Sequence, residues 1–376
     1  MTDLIAIEQA AQRLEWRLLP GTPVETRVLC GLAFLRLLQR TSVPGSEKPY
    51  LIQFLPRLTE AVRQVAADDL LPADMDGIED LASWLSQRGV PAEHIEPLER
   101  LATNVRSQVE ALLPSPEPDS NAASFDAVGL VVEYHLDPGL LPRGRILRIR
   151  ADVSRLPDDI TKDDVHIINR LIPDDRLLKQ AIDAVAAARL VLNQHLGISA
   201  ERYFRFDFHF DSAITHLAGN SIGLALGAAA MCAVSRIEPV RTSWSSNRDV
   251  AYAATIEADG RVGRVDAAML RHKIARAFYS PLRYLVVARP QLQEAWAVVN
   301  ELESQKPGRR LEIVGVEQLS EIPSDQRLVH VRRAPLVAHV GRRLAAGKGR
   351  YPVVVLPVLV LLLAAFSQTE SGHAKT

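Results

Sequence analysis

Cysteine is nearly absent: Cys30 and Cys232 are the only two in 376 residues, and they lie far apart in apolar helical runs. That rules out a disulfide framework or a cysteine-rich metal site and fits a reducing compartment. An excess of either charge is missing too. The 44 Lys and Arg residues stand against 45 Asp and Glu, a net charge of −1, so no global field draws nucleic acid or an acidic partner. No G-x-x-x-x-G-K-[ST] phosphate loop occurs; "GRRLAAGKG" at 341–349 comes nearest, with five residues between its glycines and Gly349 where the hydroxyl belongs. Neither H-E-x-x-H nor paired-cysteine spacing appears, so no metal and no cofactor is expected. The opening "MTDLIAIEQAAQRLEW" is acidic and amphipathic, unlike a secretory leader.

What is present is apolar material: 47% of the residues are hydrophobic, enough to build sizeable cores. The length suits two domains. Residues 1–113 repeat apolar positions at three- and four-residue spacing in five stretches, separated by "PGTP", "SVPGSEKP" and "RGVPAEH". They predict a helical N-terminal domain of four or five short helices, with dispersed charge and no chemistry of its own. "PSPEPDSNAAS" (114–124) reads as a linker.

From 125 to 325 the period changes. "AVGLVVEYHL" and "RILRIRADV" alternate as strands, 173–196 is a long amphipathic helix, and "RYFRFDFHF" places Phe204, Phe206, Phe208 and Phe210 on one face. Further strands and helices follow without strict alternation, which predicts an α+β domain. The end of the chain carries a basic segment (326–350), then "YPVVVLPVLVLLLAAF" (351–366) and a polar tail (367–376). The apolar run is slightly under the ~18 residues usual for a spanning helix. Pro357 would kink it or delay its start. With Arg332, Arg333, Arg342, Arg343, Lys348 and Arg350 before it and no acid between 332 and 350, it is expected to be a transmembrane tail anchor holding the bulk at the cytoplasmic face of the cell membrane. The alternative is a buried C-terminal strand or helix in a cytoplasmic soluble protein.

The candidate chemistry lies at "GNSIG" (219–223). Ser221 heads an apolar, small-residue helix whose first amides and dipole would stabilise a developing oxyanion. Gly219 and Gly223 allow close approach, and Asn220 completes the loop. On composition alone Ser221 reads first as a helix N-cap in a packed core and only second as a nucleophile. A strand running straight into the turn, as in a nucleophile elbow, is absent because residues 211–220 intervene. His209, His216 and His272 offer a second kind of base, with Asp207 or Asp211 to orient it.

The run "FDFHFDSAITHLAGNSIGLALGAAAMCAVS", continued through "PVRTSWSSNRDVAYAATIEADGRV" and "KIARAFYSPLRYLVVARPQ" to "LEIVGVEQL", resembles the proteolytic domain of Lon-type serine peptidases. The resemblance covers about 126–320. It implies the α+β fold of that proteolytic domain, also shared with some small-molecule kinases and ribosomal proteins, and a serine–lysine dyad acting without the ATPase module. Ser221 falls at the nucleophile. Counting back from "YLVVA" puts Arg271 at the family's lysine; counting forward from Gly260 puts Met269 there. Lys273 is the one lysine of that helix, two positions past Arg271 and about 200° round it. Arginine stays protonated and cannot act as a general base. Where the family has Thr-Gly-Glu, this chain has Ala253-Ala254-Thr255.

Two functions follow as expectations. One is a membrane-tethered, ATP-independent peptidase with Ser221 as nucleophile and Lys273 as base. It would act on unfolded or flexible protein segments, with a separate ATPase or adaptor as partner, room for a homo-oligomer and no nucleic acid. The other is an inactive pseudo-peptidase that keeps the fold as a protein-binding or assembly module.

Overall fold

A computed structural model describes residues 2–40, 45–111, 126–133, 143–157, 159–168, 175–211, 217–218, 221–238 and 240–335. The linker 114–124, His216, Gly219, Asn220 and the segment 351–366 therefore lie outside the described residues.

The helical periodicity of the first third produces five helices: α1 (Thr2–Arg17), α2 (Val24–Arg40), α3 (Lys48–Gln64), α4 (Ile78–Gln87) and α5 (Ala92–Ala111). Their apolar stripes close on a separate core around Ile7, Leu32, Leu35, Leu58, Leu85 and Val105. At Gly31 a Cβ would stand 2.4 Å from a methyl of Leu58, so a larger residue there would require that side chain to shift. Glu25 of α2 meets Arg145 of the following unit at 2.8 Å.

That unit is built on β1 (Ala127–Glu133), β2 (Arg143–Arg155), β3 (Asp164–Ile167), α6 (Asp175–Leu196), β4 (Phe204–Phe210), β5 (Leu217–Ala218) and α7 (Gly223–Ile237). It continues through β6 (Thr242–Ser246), β7 (Val250–Tyr252), β8 (Thr255–Ile256), β9 (Val262–Gly263), α8 (Ala267–Phe278), β10 (Tyr284–Ala288), α9 (Leu292–Gln305), β11 (Glu312–Val316) and β12 (Val329–Arg333). The main sheet runs β11-β10-β7-β1-β2-β4-β3, with β5 alongside β1. It is mixed. The β11, β10, β7 and β1 pairings are parallel, β1-β2 and β2-β4 are antiparallel, and β4-β3 is parallel again. The parallel half needs helical crossovers, which α8 and α9 supply.

Pattern explains which face each strand shows. The alternating β4 buries Phe204, Phe206, Phe208 and Phe210 beneath α6 and α7, while Arg205, Asp207 and His209 face the other way. Truncating one of these rings to alanine would cost about 3–5 kcal/mol. Helix α7 is buried from Gly223 through Ser235, and its small residues let α6 and the sheet close around it. On the opposite face, α8 and α9 cover Leu130, Leu285 and Val287 with Ile274, Phe278 and Val299. Among the described residues no helix is long and apolar enough to cross a membrane.

Candidate active site

Strand β7 touches β1 through one register pair, Gly129 with Tyr252, and ends there. Helix α7 lies against one face of the sheet and α8 against the other, and near this point they come within side-chain reach of each other.

Ser221 sits in the turn before α7. It is 4% exposed, and its hydroxyl has no hydrogen-bond partner among the described residues. The N-cap position is taken by Ile222, which makes no side-chain cap, and helix α7 begins only at Gly223. The helix-cap reading is therefore corrected: the serine lies one residue too early, and its oxygen is not spent on the helix. The first turn is instead held from outside, where the Leu224 amide donates to the Ala254 carbonyl at 3.2 Å. Gly223 is needed for contact, since a Cβ there would stand 2.2 Å from Gln180 Oε1 and 3.0 Å from the Ile256 nitrogen.

Lys273 supplies the opposing group. Asp266 caps α8, accepting from the amides of Ala268 and Met269 at 3.0 and 3.2 Å, and so sets the start of the helix. In that phase Leu270, Lys273, Ile274 and Ala277 share the buried face, at the i, i+3, i+4, i+7 spacing of one stripe. Lys273 is 0% exposed, and its Nζ donates to the Ser221 carbonyl oxygen at 3.5 Å, a long bond. No carboxylate pairs with it among the described residues. Burial alone pushes its pKa down to about 7.

Arg271 points outward and pairs with Glu301 of α9 at 2.5 Å. The sequence count that placed it at the lysine position is thus corrected by the helix phase, which turns residue 271 to solvent and residue 273 inward. Met269 is only half-buried. His272 is half-buried, and burial lowers its pKa, reinforced by the neighbouring Arg271.

The serine–histidine arrangement also fails for His209. Its Nε2 meets Asp152 of β2 at 3.1 Å, Asp207 pairs with Arg205, and Asp211 binds the amide and guanidinium of Arg148. These contacts belong to the polar outer face of β2 and β4, not to Ser221. His216, Gly219 and Asn220 are among the residues not described.

One contributor escaped sequence reasoning. Gln180 of α6, 6% exposed, donates Nε2 to the Ile256 carbonyl and accepts the Ile256 amide at Oε1, both at 3.3 Å. It thereby pins the segment against which Gly223 and the Leu224 amide rest. The available signal was a glutamine on the otherwise apolar stripe of Leu177, Ala181 and Ala184.

Comparison with known proteins returned no match to any family model and none among the curated proteins.

Proposed function

We propose that this chain is an ATP-independent serine peptidase of the Lon type, with Ser221 as nucleophile and Lys273 as general base. One observation carries the reading: a fully buried lysine, its pKa lowered to about 7, adjoins a buried serine, and among the described residues neither the lysine has a carboxylate partner nor the serine hydroxyl a hydrogen bond. A neutral amine accepts the Ser221 proton, Oγ attacks a peptide carbonyl, and the resulting ammonium returns the proton to the leaving amine. Water then hydrolyses the acyl-enzyme by the same proton route. The turn amides ahead of Leu224 stabilise the oxyanion, because the Leu224 amide is already committed to Ala254. The proton transfer requires a staggered Ser221 χ1 position that turns Oγ towards the amine.

A serine only 4% exposed is reached more readily by an extended chain than by a folded surface, so the substrates proposed are unfolded or flexible segments. With no phosphate loop, unfolding work falls to a separate ATPase or adaptor, and residues 351–366 would tether the enzyme to the cytoplasmic face of a membrane. A second reading, an inactive pseudo-peptidase that binds other proteins, is favoured by the Lys273 bond to the carbonyl rather than to the hydroxyl.

The test is cleavage of an unfolded, fluorescently labelled polypeptide by the full chain and by Ser221→Ala. Loss of cleavage in the variant, with its fold retained, supports the peptidase; equal cleavage by both removes Ser221 from the mechanism, and cleavage by neither leaves the binding module.

A further inference from the structure

Away from Ser221, β6 and β12 form a two-stranded antiparallel sheet in which His330 lies opposite Ser245 and Arg332 opposite Ser243. The alternate residues Trp244 and Val329 are buried in the core, so the serines, His330 and Arg332 share the outer face. That face borders a cleft of about 770 Å³. Arg236, Arg248 and Arg327 also line it, with Tyr284, while Asp249 is its one carboxylate. Asp249 itself faces Arg283 at 3.8 Å. A chain with nearly balanced charge thus gathers four arginines against a single carboxylate among the described residues that line this hollow.

Two of the guanidiniums are held in place from behind: Arg236 by Asp126, and Arg327 by Asp325 and Glu312. Each has five N–H donors, so bracing leaves donors for a ligand. The Asn247 amide donates to the carbonyls of Gln326 at 3.2 Å and Arg327 at 2.6 Å, which fixes the adjoining wall. Planar arginine forks beside serine hydroxyls match the oxygens of a phosphate group.

We propose that the cleft bordered by the outer face of the β6–β12 sheet binds a phosphate-bearing anion. Two sources share that chemistry: the headgroup of an anionic phospholipid and a soluble phosphate compound. The lipid source rests on the tether proposed above. Strand β12 ends at Arg333, 18 residues before the apolar segment begins at residue 351, so the cleft lies within about 60 Å of chain from the bilayer.

The experiment is calorimetric titration of the full chain, in non-ionic detergent, with inorganic pyrophosphate, with glycerophosphoglycerol (the deacylated phosphatidylglycerol headgroup) and with an oligoglutamate peptide. Arg248→Ala/Arg332→Ala, two exposed positions, and Ser243→Ala/Ser245→Ala serve as variants. Saturable binding of both phosphate compounds that falls at least tenfold in the arginine variant and weakens with salt supports the site and the headgroup source. Binding of pyrophosphate alone supports the site with a soluble ligand. No saturable binding, binding unchanged in both variants, or binding of oligoglutamate alone overturns it. Because the readout is binding, it stands or falls separately from peptidase activity.

Discussion

The Nζ of Lys273 lies 3.5 Å from the carbonyl oxygen of Ser221, although the two residues belong to turns and helices on opposite faces of one sheet. An ammonium with no exposure and no carboxylate partner among the described residues is costly to keep charged, so the enclosure itself shifts the group towards the free amine. A group shifted towards a proton acceptor thus lies beside a serine whose hydroxyl has no partner among the described residues.

The proposed dyad would make Lys273→Arg as damaging as Lys273→Met. Arginine stays protonated and cannot take the serine proton. Each change is expected to lower the cleavage rate by roughly 10³-fold or more, on the scale of losing a catalytic group. Steady-state rates, with circular dichroism to verify folding, check this; activity retained in Lys273→Arg would remove the base role.

Activity should rise with pH through about 7, because only the neutral amine accepts a proton. Stability should follow the same group. The unfolded chain holds the Lys273 proton up to its ordinary value of 10.5, while the folded chain releases it near 7. Between these values the unfolded state binds more protons, so this contribution to stability increases with pH and is most unfavourable below about 7. Lys273→Met should therefore stabilise the protein most at or below neutral pH, with the gain shrinking towards pH 10. Urea unfolding of both forms at pH 6 and 9 measures the difference, and a gain that does not depend on pH would contradict it.

Gln180→Ala should cost about 1–3 kcal/mol by leaving the Ile256 amide and carbonyl unmet in a buried place. The denaturation midpoint gives the cost. Hydrogen exchange should speed up at the Ile256 amide and at Leu224, whose partner Ala254 lies in the same segment; unchanged protection at both would show that the clamp is dispensable.

Gly144→Ala tests the seat of α8. A Cβ at Gly144 of β2 would stand 2.2 Å from the His272 carbonyl oxygen and 2.9 Å from Arg276 Cβ. Because the nearest atom is backbone, the helix must move, at a cost of about 1–3 kcal/mol. Since Lys273 follows His272, cleavage should fall more than stability alone explains. Full activity in a stably folded Gly144→Ala would show that lysine placement tolerates the shift.

Much of the fold was legible from periodicity. The alternation at Phe204–Phe210 set the buried face of β4, and the three- and four-residue spacing before residue 113 marked the helices. The stripe Leu270, Lys273, Ile274, Ala277 also placed the lysine inward, but counting from strand anchors hid it, because spacing along a chain with inserted residues does not set helix phase. The Asp266 cap does.

By itself, then, the sequence determined which residues are apolar and at what period, because burial of one face is a local demand that each element meets alone. Three things were decided only in three dimensions: that Ser221 lies outside its helix, that Gln180 clamps Ile256, and that Lys273 loses its proton affinity. Each depends on desolvation or a hydrogen bond between segments far apart in the chain, and such terms exist only once the sheet has brought α6, α7 and α8 together.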